Sequence, residues 1–407
     1  MLDNLSLIKT YQYLLIILAF LLPLTVFGAN LIIFIICIIW FFSGDYKSKF
    51  KQITSNKFII ASIVFFSLHV VGLIWTEDLE WGLHISRKMW YFLILLPVLY
   101  TIVRKDYIKL YISAFLLAIT ITEVASYLVW FEIIEPFKNA TVRNPTPFMS
   151  HISYNPILAF AIYLVLHEVF FNKNLKNLYL YLYIFFAISM SINMFITGGR
   201  AGQVIFFVML SILIFQFFDK QRFKALIYIC IAVPGIFFIS YLTSDIFNER
   251  VDQAIYEVRT FSETKGFDVK RSSHTSVGAR LNFTVNSWQV IKDNLLIGVG
   301  TGDFPNEYNK INEINSPRLP ETTNPHNMYI LILMQLGFIG LISMMGLFYY
   351  QIKLSLRAPN KFIKDVGITL PILFLIIMLS DSYLLGHYTT LLYVFFSSFL
   401  YKDFEKN

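Results

Sequence analysis

The sequence predicts an all-α polytopic membrane protein, with about twelve transmembrane helices and one long outer loop that carries short amphipathic helices. Three observations predict it. Of the 407 residues, 57% are hydrophobic and only 14% charged, with a mean hydropathy of +0.62. Apolar runs of about 20 residues, the length that crosses a bilayer, recur along the chain. One polar stretch, residues 243–325, interrupts them and is long enough to form a small extramembrane domain.

Run lengths place the spans at Tyr11–Phe27, Asn30–Phe42, Phe58–Trp75, Trp90–Val103, Tyr107–Trp130, Ser153–Phe171, Leu178–Ile196, Ala201–Phe218, Ala225–Leu242, Met328–Tyr350, Val366–Leu379 and Thr389–Tyr401, the second and fourth being short. They group into an N-terminal bundle (1–242), the loop (243–325), and a C-terminal set of spans with a tail (326–407). The first run follows Lys9 with no small-residue cleavage pattern and is expected to be a retained span.

Lysine and arginine give the orientation. With the N-terminus inside, the inner segments hold 19 basic residues and the short outer segments 5, so both ends are expected on the cytoplasmic side. The net charge of +7 is thereby sorted by membrane side, which removes the reason to invoke nucleic acid. The two cysteines, Cys37 and Cys230, lie in apolar runs and cannot form a disulfide framework.

Within the loop, Phe247, Val251, Ala254, Ile255, Val258 and Phe261 recur at helical spacing, as do Leu281, Val285, Trp288 and Ile291. The Ser/Thr-rich stretch between them, Glu263 to Gly278, reads as a flexible link. Such helices lie on a membrane surface or cap a cavity.

Candidate functional residues gather at the outer boundary. Thr197-Gly-Gly-Arg-Ala-Gly-Gln203 makes a tight turn that holds Arg200 at the membrane edge. An arginine there either anchors the helix by snorkelling or grips a phosphate bidentately. Arg280 opens the second loop helix, followed by Leu295-Leu-Ile-Gly-Val-Gly-Thr-Gly-Asp-Phe304. No βαβ pattern surrounds these glycines, so they read as a turn and not a dinucleotide site. His326 stands where the loop meets the apolar run from Met328, with Pro325 before it and Asn324 as a candidate helix cap. The positive end of a helix dipole disfavours a protonated ring and favours anions nearby, which suits a neutral base beside an anionic ligand. His151 lies at an outer boundary and is a candidate cavity-lining residue, as are Asn327 and Lys88; Arg87 joins Arg200 and Arg280 as a candidate for a diphosphate. The remaining histidines share no metal-ligand spacing, so neither a metal nor a cofactor is expected.

At these residues the chain resembles the O-antigen ligase and polymerase superfamily, membrane glycosyltransferases of the bacterial envelope. The resemblance lies in Gly198-Gly-Arg-Ala-Gly202, in the arginine-led helix before Asn294-Leu-Leu-Ile-Gly-Val-Gly-Thr-Gly-Asp-Phe304, and in His326-Asn-Met-Tyr-Ile followed by Gly337-Phe-Ile-Gly340, taken in that order. Leu295 replaces a proline common in the family. Gln335 replaces a common acidic residue, so no carboxylate is named to orient the histidine.

The resemblance implies metal-independent, inverting transfer of a glycan from undecaprenyl diphosphate to a hydroxyl acceptor at the periplasmic face of the inner membrane. His326 would be the base, and Arg200, Arg280 and Arg87 would hold the diphosphate. Ligation to lipid A–core is the expected reaction, favoured by the compact chain and the histidine motif. Polysaccharide polymerisation and protein O-glycosylation are the neighbouring readings, and a chain-length regulator is a candidate partner. A polar-lipid transporter or flippase is the non-enzyme alternative. Transporters place charges at mid-membrane, whereas here the cations lie at the boundary and Glu123, Glu168 and Asp381 are scattered.

Overall fold

A computed structural model describes residues 4–138, 140–263 and 276–404. Among these the chain is helical, without a strand; one isolated bridge pairs Thr141 with Asn144. In chain order the helices are α1 (Asn4–Leu21), α2 (Val26–Phe42), α3 (Tyr46–Ser55), α4 (Lys57–Val71), α5 (Leu79–Trp90), α6 (Leu96–Ile102), α7 (Ile108–Trp130), α8 (His151–Phe171), α9 (Asn177–Ile196), α10 (Arg200–Phe218), α11 (Arg222–Thr243), α12 (Asp245–Glu263), α13 (Ser276–Asp293), α14 (Phe304–Asn315), α15 (Met328–Leu356), α16 (Lys361–Ile377) and α17 (His387–Leu400).

Eight helical runs are long and apolar enough to cross a membrane, or nine if the bent pair α2 and α3 counts as one span. Helices α16 and α17, of 17 and 14 residues, fall short of that length, as does the apolar part of α1. The run expected at Trp90–Val103 begins at Leu79, because the Asp78 side chain caps α5 by accepting from the Trp81 N–H at 2.9 Å. A π-helical turn, Tyr91–Leu95, joins α5 to α6, so Arg87 and Lys88 lie inside a 24-residue helical run, not in a loop before it. The two expected loop helices are α12 and α13. Between them, residues 264–275 of the stretch read as a flexible link lie outside the described residues, while Gly278 belongs to α13. Helix α14 was not expected.

The described chain falls into two compact units. The first comprises Met1–Ser43, Ile102–Val251 and Ala358–Leu373. In it α8 packs closely on α10, because Gly202 sits against Asn155: a Cβ on Gly202 would stand 2.2 Å from that of Asn155. Several polar groups inside this unit are paired. The Tyr154 hydroxyl donates to Asn193 at 2.9 Å, whose amide donates to Ser126 at 2.9 Å. His167 Nε2 lies 3.0 Å from Asp365, which Lys361 also approaches at 2.9 Å. Pairing of this kind is what lets such groups exist in a low-dielectric interior.

The second unit comprises Gly44–Thr101, Asp252–Arg357 and Phe374–Asn407. Its organising feature is a break in α15 at Gly337, where φ is 60° and ψ −156°. Breaking a helix frees backbone groups that lipid cannot satisfy. Residues 295–300 fill the gap with their own backbone. Val299 N donates to Met334 O at 2.8 Å, Gly300 N to Gln335 O at 3.1 Å, and Phe338 N to Leu295 O at 2.8 Å. The fit leaves no room for a side chain: a Cβ on Gly337 would lie 2.4 Å from the Leu296 backbone, and one on Gly298 2.4 Å from that of Gln335. The loop then reaches α4 and α5. Thr301 donates to His69 O at 2.7 Å, and the Asp303 carboxylate accepts from the N–H groups of Glu77 and Asp78. The glycine-rich motif is thus a backbone plug, and the glycines of both sequence motifs meet in it.

Gly337→Ala should destabilise the protein by about 1–3 kcal/mol from backbone strain alone, with the backbone clash adding to it. A clear fall in the unfolding temperature of the detergent-solubilised variant is the expected outcome, and an unchanged temperature would contradict this account of the break.

Candidate functional site

The start of α15 fixes the histidine. The helix begins at Met328, and its cap is Asn327, whose side chain accepts from the N–H groups of Tyr329 at 3.0 Å and Ile330 at 3.2 Å. The cap is therefore one turn later than Asn324, and the Asn327 carbonyl oxygen serves the helix. His326 precedes the cap with a φ of 51°, a left-handed conformation unusual for a residue with a side chain and common at functional sites. Asn324 holds it there: its side-chain oxygen accepts from the His326 N–H at 2.9 Å.

The end of α16 is drawn to the same place. Met328 N donates to Met378 O at 2.9 Å, and the Tyr329 hydroxyl donates to Leu375 O at 2.5 Å. The loop that follows presents Asp381, whose Oδ2 lies 3.3 Å from His326 Nδ1. The contact is an ion pair by distance without the alignment of a good hydrogen bond. Apo geometry is often looser than that of the working complex. The other carboxylate oxygen accepts from Ser382 N at 2.7 Å and from the Asn324 amide at 3.1 Å. Asn324 also accepts from the Ser382 hydroxyl at 2.8 Å, so one asparagine ties together both members of the pair. Burial alone would raise the Asp381 carboxyl. His326 foremost, then the Ser382 N–H and the Asn324 amide, outweigh it and hold the acid below the usual carboxylate range. An ionised carboxylate facing Nδ1 favours the proton on that nitrogen and leaves the Nε2 lone pair free to act as a base.

Sequence reasoning met Asp381 only as one of several scattered acids and named no partner for the ring. Gln335, which stands where an acid was sought, faces elsewhere: its amide donates to Thr301 O at 2.7 Å and secures the backbone plug.

Arg280 belongs to the same surroundings. It lies on α13 one turn before Phe283, whose ring stacks on His326 at 6.0 Å and 28°. Its charge also acts on Tyr383, two residues beyond Asp381. Burial pushes that phenol up to about 12, against the pull of Ser380 and Arg280. A polar network seats α13 on α14: the Asn286 amide reaches Asn312 and Ser316, both at 3.4 Å, and the Asn312 amide donates to Leu319 O at 2.9 Å. From α14, Asn309 accepts from Thr322 N at 3.2 Å, which leads back to Asn324. Arg87 meets different neighbours. It is exposed, its guanidinium 3.3 Å from His84 Nδ1, and Lys88 lies beside it on the same helix.

Arg200 and His151 belong to the first unit. Arg200 is the first residue of α10, after the turn at Gly198 and Gly199. Asn144 accepts from Gly198 N at 2.9 Å, Asn155 donates to Gly199 O at 3.3 Å, and Thr197 donates to Asn155 at 2.8 Å. His151 is the first residue of α8 and its backbone packs on Gly199.

Residues 185–345 match the family model described as O-antigen ligase. No curated protein matches the chain. The matched segment includes Arg200, Arg280, the plug and His326, and ends before Asp381.

The lowered pKa of Asp381 has a defined signature. Its contribution to stability is complete above the unfolded carboxylate range, about pH 4, and is lost as pH falls through its lower folded value. Asp381→Asn should therefore lower the unfolding temperature at neutral pH, with the gap to wild type closing in strong acid. A gap that does not change with pH would show that the charge of Asp381 is not what stabilises the pair.

Proposed function

With the chain a member of the O-antigen ligase superfamily through residues 185–345, we propose that it transfers a glycan from undecaprenyl diphosphate to a hydroxyl acceptor, lipid A–core being the preferred one. The observation that carries this reading is the pair formed by His326 and Asp381, with Arg280 near it, in a chain of membrane-spanning helices. In this proposal His326 Nε2 takes the proton of the acceptor hydroxyl as its oxygen attacks the anomeric carbon. The bond from that carbon to the diphosphate breaks, its electron pair leaves on the diphosphate oxygen, and the centre inverts. Arg280 offsets the charge that grows there, and Arg200 keeps the role of a phosphate-binding arginine that the resemblance implies. Diphosphate is a good leaving group, so cationic side chains suffice for the step.

Asp381 acts through His326, keeping the ring oriented and stabilising the imidazolium that forms. The same proposal places the protein in the bacterial inner membrane with both termini cytoplasmic and the His326 loop periplasmic. The proposal takes α1, α16 and α17 as short spans beside the longer apolar runs.

Purified protein given a lipid-diphosphate glycan together with either lipid A–core or a second lipid-linked repeat should extend the former; extension of the repeat alone would make it a polymerase. His326→Ala should slow transfer by about 10²–10⁴-fold, the usual share of a general base, in protein that folds and inserts normally. Undiminished transfer would remove His326 from the base role. Arg280→Lys should impair transfer although charge is kept, because lysine cannot offer the bidentate fork.

A further inference from the structure

Glu257 breaks the pattern of its own helix. The apolar period of α12 would turn Ile255 and Val258 inward, yet both are exposed, as is Tyr256, while Glu257 is only 3% exposed. A glutamate is hardly ever buried so fully without a partner. Here the partner is the backbone of another helix. Oε2 of Glu257 accepts from Val277 N at 2.9 Å, across 20 positions of the chain. Glu257 and α13 both belong to the second unit.

Val277 is the second residue of α13. The first N–H groups of a helix find no acceptor within it, and α13 has no acidic residue in its first turn. Glu257 supplies from α12 both an acceptor and the negative charge that the positive end of a helix favours. That end of α13 carries the cation of the proposed step. Arg280 follows Val277 by three residues, and Phe283, which stacks on His326, follows Arg280 by three. A bond that pins the first turn of α13 therefore fixes the backbone from which both side chains project.

We propose that Glu257 is a positioning residue, which holds the first turn of α13 so that Arg280 is set for the departing diphosphate. The proposal rests on the role given to Arg280 above, and it adds an acid from a separate helix that no sequence motif marks.

The test compares wild type in nanodiscs with Glu257→Ala, Glu257→Gln, Glu257→Asp, Arg280→Ala, the double variant Glu257→Ala/Arg280→Ala, and Thr25→Ala, each with its unfolding temperature recorded. Glutamine keeps an acceptor oxygen at the same reach, aspartate keeps the charge but falls short, and alanine loses both. Thr25 caps α2 in the first unit by accepting from Gly28 N at 3.3 Å, so Thr25→Ala is a control for the loss of a helix cap as such. Amide hydrogen exchange over 276–283 should quicken in Glu257→Ala and Glu257→Asp and stay near wild type in Glu257→Gln. The kcat for glycan transfer should fall by about 10–10²-fold in Glu257→Ala, the scale of a reacting group displaced by up to ~1 Å, with the KM for acceptor little changed. Glu257→Gln should recover most of the loss, and Thr25→Ala should transfer as wild type. In the Arg280→Ala background Glu257→Ala should cost almost nothing more, since residues that act through one another are not additive. Unchanged kcat in a folded Glu257→Ala or Glu257→Asp variant, an equal loss in both Arg280 backgrounds, or an equal loss in Thr25→Ala overturns the assignment. Affinity for undecaprenyl diphosphate is measured on the same preparations. Wild type that binds this lipid and never transfers sugar contradicts the proposed reaction; the inference then stands if Glu257→Ala weakens binding and Glu257→Gln restores it, and falls if binding does not change. Active wild type matched by Glu257→Ala contradicts only this inference.

Discussion

A helix that breaks inside a membrane needs backbone partners, and in this protein one short stretch supplies them. Residues 295–300 enter the gap in α15 at Gly337 and exchange main-chain hydrogen bonds with both of its edges. Much of the second unit follows from that contact. The plug continues into Thr301 and Asp303, which fasten it to α4 and α5. It also ends where α14 begins, so α13 and α14 are tethered at a fixed distance from the start of α15. Arg280 and Phe283 on one side and His326 on the other owe their proximity to this anchoring.

The chemistry of the site depends on a smaller device. Asn324 serves as donor to Asp381 and as acceptor from His326 and Ser382. It holds a carboxylate and an imidazole in register although they come from different helix ends. The left-handed backbone at His326 costs energy, of order 1–3 kcal/mol. Such a cost is sustained only where the surroundings over-determine the conformation, here through the preceding Asx-type bond and the cap that follows.

Much of this was legible in the sequence, and the failures have identifiable causes. Apolar run length gave the membrane class, and the 3.6-residue period gave α12 and α13. Helix α14 was missed because its polar, asparagine-rich sequence shows little apolar periodicity, although Pro305 near its first turn was a usable start signal. The start of α5 was missed because the apolar run begins only at Trp90, while Asp78, a plain cap residue, marks the true beginning. Pro325 drew the expected cap of α15 to Asn324, one turn before the true cap Asn327, although the apolar run itself starts at Met328, as the helix does. The pairing of Asp381 with His326 lies beyond any local pattern, since 55 positions separate them and only the docking of α16 on α15 brings them together. The glycines at 298–302 were read as a turn and Gly337 as part of an apolar span, and their mutual contact depends on backbone approach, which leaves no trace in side-chain chemistry.

The plug also bears on how the protein is made. At about 1.5 Å per residue, the 29 residues of α15 would run well past a hydrocarbon layer of about 30 Å if unbroken, so the interruption belongs to the inserted form. Residues 295–300 leave the ribosome before α15 does. The segment that satisfies the open carbonyls and amides is therefore already translated when the gap reaches the bilayer. With the opposite gene order, the gap would face lipid while its complement was still unsynthesised, and membrane insertion would have to proceed through an unpaired backbone.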